Sequence, residues 1–330
     1  MRYLIITNSQ ESSDFARLLA NEIERFDIRS EIFTNSGKEL RIHSNEECQF
    51  SSEYRRIKSA HLDQKFDLLC VIGSTFDGRL VSKLRKLQAK TCFFQITADY
   101  STGRKIYEQA FARFHKVYVD VPVYDLRTTS ECIGHYVNDL IRKHDFKGET
   151  SEELRIGLLI NKEANFKKIP NLIKSVSEKE NTCRWLIGGK EPSGKSIEYI
   201  KSFGNIDFVE NRLDVLKSAN AVILDSEQDS VAAALLNCPQ ISIAEEPGFL
   251  GFTKAAQSLI NKVEGREIIK TFKSNEHEQV IGELDLVLNN HEYCATMMVG
   301  YQEFKEKLGA QPVARSAVQK ITEWIEKSEV

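Results

Sequence analysis

Short apolar, β-branched runs alternate along this chain with stretches of helical period, and that alternation restricts it to one fold class. The runs RYLIIT, FDLLCVIG, TCFFQIT and KVYVDVP occupy the first half, and LRIGLLI, TCRWLIGG, IDFVE, NAVILD and PQISIA the second. Between them lie DFARLLANEIERF, GRLVSKLRKLQ, NLIKSVSEK and QDSVAAALLN, with apolar residues at helical spacing. Runs that are apolar on both sides need cover on both faces. The pattern therefore predicts α/β architecture, with parallel sheets between layers of helices.

A chain of 330 residues can build two such units, each with its own core. Arg127 to Lys143 predicts a helix, the polar stretch HDFKGETSEE follows, and the strand pattern restarts at LRIGLLI. The boundary is expected near Lys147 to Glu153, giving Rossmann-like domains over residues 1–148 and 149–330. The tail predicts two long helices, near Glu292 to Lys307 and Val313 to Lys327, with Gly309 and Pro312 as stop and restart. Val313, Ala317, Ile321, Trp324 and Ile325 form one apolar face of the last helix, which is expected to cross back and pack on the first domain. Two doubly wound domains in tandem direct the carboxyl ends of their strands at a cleft, where such folds bind ligands. GT-B glycosyltransferases and several two-lobed binding proteins share this plan, and fold alone does not choose between them.

Composition narrows the partners. Forty-five basic and 48 acidic side chains leave a formal charge of -3, which gives no bulk attraction for nucleic acid, and none is expected as a partner. The seven cysteines are scattered and mostly lie in apolar runs, which points to free thiols in a reducing compartment. The seven histidines are as scattered as the cysteines, so neither a metal nor a cofactor is expected. The opening MRYLIITNSQESSD reads as a first strand rather than a leader, and no stretch approaches the roughly 20 apolar residues of a membrane span. A cytoplasmic location follows. The basic run KLRKLQAK (83–90) reads as a solvated helix face, with peripheral docking on inner-membrane phospholipid head groups as the alternative.

Several stretches together resemble lipid-A-disaccharide synthase, a GT-B enzyme that joins two acylated glucosamines. SLINKVEGREII, Ser258 to Ile269, is close to that family's SLPNIIAGREIV, and the tail YQEFKEKLGAQPVARSAVQKITEWI matches its closing helices in spacing. NAVILDSEQDSVAAALLNCPQISI follows the family's strand, SGTATLEAAL, strand pattern. YVDVPVYD echoes YVGHPLLD, and STFDGRLVSKLRK echoes PDFNLRLAKKLKK. The resemblance runs nearly end to end and is faint before Phe66. It implies transfer of 2,3-diacylglucosamine from UDP to a 2,3-diacylglucosamine 1-phosphate acceptor, with a UDP-sugar or other small ligand in the interdomain cleft.

The departures concern ligand contacts. The acidic residue placed before Phe-Asn falls on Thr75, and the glycine-rich GEASGD is represented by SQESSD, Ser9 to Asp14. The PGSR loop becomes Ile160 to Glu163, without its phosphate-facing arginine. SGT reads Ser226 to Gln228, the Glu that follows it becomes Ala232, and Gly-His becomes Asp120 and Val121. Glycines let a backbone approach a diphosphate and an arginine pairs with it bidentately, so their loss, with Glu163 and Glu227 added, disfavours that ligand. The resemblance leaves Ser226, Ser230, Asn261 and Glu267 as nucleotide-sugar contacts, and Asp77 as a displaced general base. For Asp77 the structural alternative is a helix cap, and Gly265 beside Asn261 reads equally as a turn residue.

A second motif competes. GKEPSGKS, Gly189 to Ser196, fits the phosphate-loop pattern between a strand and a helix, with NAVILD as a candidate magnesium-holding strand. Its position mid-chain, amid residues that follow the synthase pattern, favours an ordinary strand-to-helix loop. Two principal readings stay open: a diverged glycosyltransferase with altered or reduced activity, and a non-catalytic paralogue that binds a partner or small ligand.

Overall fold

The computed structural model describes residues 2–7, 10–26, 28–34, 66–76, 78–86, 89–96, 100–146, 153–161, 169–179, 183–189, 205–244, 258–273, 275–309 and 311–328. The first half runs β1 (Arg2–Thr7), α1 (Gln10–Glu24), β2 (Arg29–Thr34), β3 (Leu68–Gly73), α2 (Gly78–Lys86), β4 (Lys90–Gln95), α3 (Tyr100–Phe111), β5 (Lys116–Val119), β6 (Ser130–Cys132) and α4 (Val137–Lys143). It continues with β7 (Arg155–Leu159), α5 (Ile169–Lys179), β8 (Arg184–Gly188), β9 (Ile206–Val209), α6 (Arg212–Ser218), β10 (Ala221–Leu224), α7 (Glu227–Leu235) and β11 (Gln240–Ala244). The chain ends with α8 (Leu259–Glu264), β12 (Thr271–Lys273), α9 (His277–Asn289), α10 (His291–Leu308) and α11 (Val313–Lys327). Two compact units result: residues 1–139 with 308–330, and residues 140–307. Most of the boundary stretch expected near Lys147 to Glu153 lies outside the described residues.

The first unit holds a six-stranded parallel sheet in the order β2-β1-β3-β4-β5-β6. Leu4, Ile6, Leu69, Val71, Phe93, Val117 and Val119 join one buried cluster. Phe93 and Phe114 stack there and Phe76 meets both edge-on, with centroids 5.0–5.2 Å apart. On α1, Phe15, Leu19 and Ile23 recur every four residues and are fully buried, with Phe15 edge-on to Phe94 at 5.6 Å. Helix α11 belongs to this unit and packs on α1, burying Ala317, Val318, Ile321 and Ile325. Trp324, on the same stripe, is half-buried, with the Lys90 ammonium 6.0 Å above its ring. Lys90 Nζ also donates to the Ile325 carbonyl at 3.0 Å, which accepts from the Ser328 N–H as well, at the helix end.

One expectation fails in a specific way. The span Arg127 to Lys143 is helical only from Val137, because the chain first pairs as β6 beside β5. Gly134, at φ +88, then turns the backbone. A Cβ there would lie 2.7 Å from the Leu308 carbonyl oxygen, so the turn requires glycine.

The second unit holds a parallel sheet in the order β12-β11-β10-β7-β8-β9. Its central strands β7 and β10 are buried almost throughout, as their apolar runs require. Among the described residues, no helix is long and apolar enough to cross a membrane.

Candidate functional site

In an open parallel sheet, ligands bind beyond the carboxyl ends of the strands where the winding direction reverses. In the second unit that point lies between β7 and β10, adjacent strands from which the chain winds outward in opposite directions. The residues just past these strands are Ile160 and Asn161 on one side and Asp225 and Ser226 on the other. They are bonded to each other. The Asn161 backbone N–H donates to Asp225 Oδ1 at 2.8 Å, and its side-chain Nδ2 donates to Asp229 Oδ2 at 3.1 Å.

Asp229 stands in the first turn of α7 and is the centre of this assembly. Arg212, the first residue of α6, donates from Nε to Asp229 Oδ1 at 2.9 Å and from Nη2 to Oδ2 at 2.5 Å. This is the bidentate fork that a guanidinium makes with a planar oxyanion. The third arm, Nη1, reaches the Gly188 carbonyl at the end of β8 at 3.4 Å. The next residue, Gly189, has φ +115 and leaves bare backbone beside the guanidinium; a Cβ there would sit 3.8 Å from Nη1. The side chains of Arg212 and Asp229 are 25% and 10% exposed, so the cation keeps access to solvent while the carboxylate is nearly enclosed.

The residues singled out from the sequence take these places. Ser226 is the N-cap of α7, its hydroxyl accepting from the Asp229 N–H at 3.2 Å. Glu227 accepts from the Leu259 N–H at 2.9 Å, at the start of α8. Ser230 is buried, and its carbonyl accepts from Gln240 Nε2 at 3.0 Å. Asn261 is 3% exposed: its Oδ1 accepts from the Ile268 and Ile269 N–H groups at 2.8 and 3.0 Å, and its Nδ2 donates to the Ile269 carbonyl at 2.7 Å. Gly265, at φ +70, is the left-handed cap of α8, and Glu267 is exposed on the turn beyond it. Asn261 thus braces the turn in the SLINKVEGREII block. Asp77 and Lys195 lie outside the described residues, as does the GKEPSGKS loop after Gly189, whereas Thr75 and Arg79 are exposed.

At the corresponding edge of the first unit, Asp120 follows β5, with its carboxylate 3.7 Å from His135 Nε2. Both side chains are 4% exposed. Burial pushes the His135 pKa down to about 3, so the ring is neutral, and its Nδ1 faces the Val137 N–H at 3.4 Å. Among the described residues, no cluster of three or more His, Cys, Asp or Glu side chains forms a metal cage.

Arg212 and Asp229 were not singled out from the sequence. They sit 17 positions apart, Arg212 outside every motif quoted above and Asp229 inside the SEQDSVAAAL stretch but not among its expected contacts. The signal that marks Arg212 is positional: it follows a short strand, at the sheet edge where ligands gather.

No protein-family profile matches the sequence, and no curated protein matches it. Solved structures do match over nearly the whole chain. A UDP-GlcNAc 2-epimerase from Methanocaldococcus jannaschii aligns with 98% of this chain and 99% of its own, at 14% identity and a TM-score of 0.65. Sucrose-phosphate synthase from Thermosynechococcus elongatus aligns over 99% and 100%, at 13% identity and TM-score 0.61. The glycosyltransferase VinC, solved with dTDP, aligns over 99% and 100%, at 10% identity and TM-score 0.65. At these identities the likeness shows the fold, which is GT-B: two Rossmann-like units, each built on a parallel sheet.

Proposed function

We propose that this chain is a sugar-nucleotide-type GT-B protein, similar to lipid-A-disaccharide synthase, in which transfer of an acylated glucosamine from UDP is reduced or altered. The motifs SLINKVEGREII and NAVILDSEQDSVAAALLN support the relationship, and the fold accords with it. The observation that carries the functional part is that the switch-point edge of the second sheet is bonded to itself. Ser226 caps a helix, Glu227 holds the start of α8, Asn161 bridges two strand ends, and Asp229 neutralises Arg212. A diphosphate arriving there meets a cation already paired, and two further carboxylates, Asp225 and Glu227, close by in sequence. In this reading Asp77 serves as the acceptor's base in place of the residue replaced by Thr75.

The same closed edge favours a second reading, a non-catalytic paralogue that binds a partner or another small ligand. Incubation with UDP-2,3-diacylglucosamine and 2,3-diacylglucosamine 1-phosphate separates the outcomes. Slow disaccharide formation that Asp77→Asn abolishes supports the transferase. No product with a folded protein supports the paralogue. Disaccharide at an ordinary enzymatic rate, on the order of 10 per second, contradicts the closed edge.

A further inference from the structure

The bonds that close the switch-point edge are not equivalent. Those of Ser226, Glu227 and Asn261 satisfy backbone N–H groups at helix starts or in a turn, and cannot be released without leaving buried donors unpaired. The Arg212–Asp229 pair joins two side chains, and its cation remains a quarter exposed. Buried ion pairs gain little net stability, because the cost of desolvating both charges offsets their attraction. An anion that takes Arg212 leaves Asp229, 10% exposed, without its cation, so the pair opposes anion binding there.

The donors around the Asp229 carboxylate are those a phosphate would use. Two parallel N–H groups of Arg212 and the amide of Asn161 converge on its oxygens at 2.5–3.1 Å. The group sits at the positive end of α7, a nine-residue helix, and an anion there is favoured. Resting on the sugar-nucleotide reading above, we infer that Asp229 is an internal counter-ion occupying the seat of a nucleotide's diphosphate, and that exchange of Asp229 for diphosphate at Arg212 controls binding. The part of the suppressed affinity that resides in this one carboxylate is then recoverable.

Calorimetric titrations of inorganic pyrophosphate, UDP and uridine test this on the full chain. Asp229→Asn should raise affinity for pyrophosphate and UDP by about tenfold or more while leaving uridine unchanged. Arg212→Gln added to Asp229→Asn should remove the gain. A folded Asp229→Asn variant without a gain, or a gain that survives loss of Arg212, overturns the inference. The unmodified protein gives an independent answer that does not depend on the variant folding. Pyrophosphate in large excess should move the 15N-resolved Arg212 Nε–H resonance, assigned by its loss in Arg212→Gln. A resonance that stays fixed overturns the inference too. Tight UDP binding by the unmodified protein would instead defeat the closed-edge reading, so the two failures are distinguishable.

Discussion

The carboxylate of Asp139 accepts from the backbone N–H groups of both Val313 and Ala314, at 2.9 and 2.8 Å, across 174 residues of sequence. Pro312 precedes the helix and has no capping side chain, so Asp139 performs that role from α4. The site is buried, Asp139 being 4% exposed, and the negative charge stands at the positive end of α11. Asp139 thus ties the start of α11 to α4 within the first unit.

Replacing Asp139 by alanine should destabilise the protein by about 2–3 kcal/mol, the cost of a helix cap together with buried donors left unpaired. Asp139→Asn, which keeps one acceptor, should lose less. Urea unfolding midpoints measure both, and an unchanged midpoint for Asp139→Ala would show that the cap contributes nothing.

Asn261→Ala should act on stability and not on ligand affinity. Its side chain makes three hydrogen bonds to the backbone of Ile268 and Ile269, and their removal should cost about 2–4 kcal/mol. A variant with unchanged thermal stability but weakened nucleotide binding would make Asn261 a ligand residue instead.

Acidification should weaken the first unit in two steps. His135 is neutral when folded, its pKa depressed by burial to about 3, whereas an unfolded histidine titrates near 6.5. Between those values the unfolded chain binds the extra proton. The stability His135 confers is therefore complete above pH 6.5 and falls as pH drops toward 3. Glu131 adds a lower step. Burial pushes its pKa up, but the hydrogen bonds from Lys116 and Lys320 outweigh this and hold it below the usual carboxylate value. Its contribution is present above about pH 4.5 and lost as pH falls through the depressed pKa. Stability measured from pH 7 to 5 should decline in the wild type and less steeply in His135→Gln, where His115, lowered by burial and by Arg85 and Lys90, still contributes. Identical slopes would exclude His135 as the source.

How much of this the sequence disclosed depends on what each residue answers to. The central strands were legible because both faces are buried and the residues are apolar without interruption, as in LLCVIG and AVIL. The edge strands β2, β6 and β12 were not. SEC and TFK are three residues long and only partly buried, so they carry little pattern. Arg127 to Lys143 contains enough helix-compatible residues to conceal β6, which forms because β5 offers an open edge. At the site, Ser226 is expected from the sequence as a nucleotide-sugar contact, but its hydroxyl caps its own helix. Arg212 and Asp229 come together only when β9 and β10 bring α6 and α7 side by side, a relation with no local spacing to betray it.

The measurement that bears most directly on the closed edge is thermal unfolding of the unmodified protein with and without UDP. A ligand at a hundred times its Kd stabilises the folded state by about 2.7 kcal/mol. With Arg212 held by Asp229, millimolar UDP should produce no resolvable shift in Tm. A clear rise in Tm at micromolar UDP, lost in Arg212→Gln, would contradict the account by showing that the seat is open to ligand.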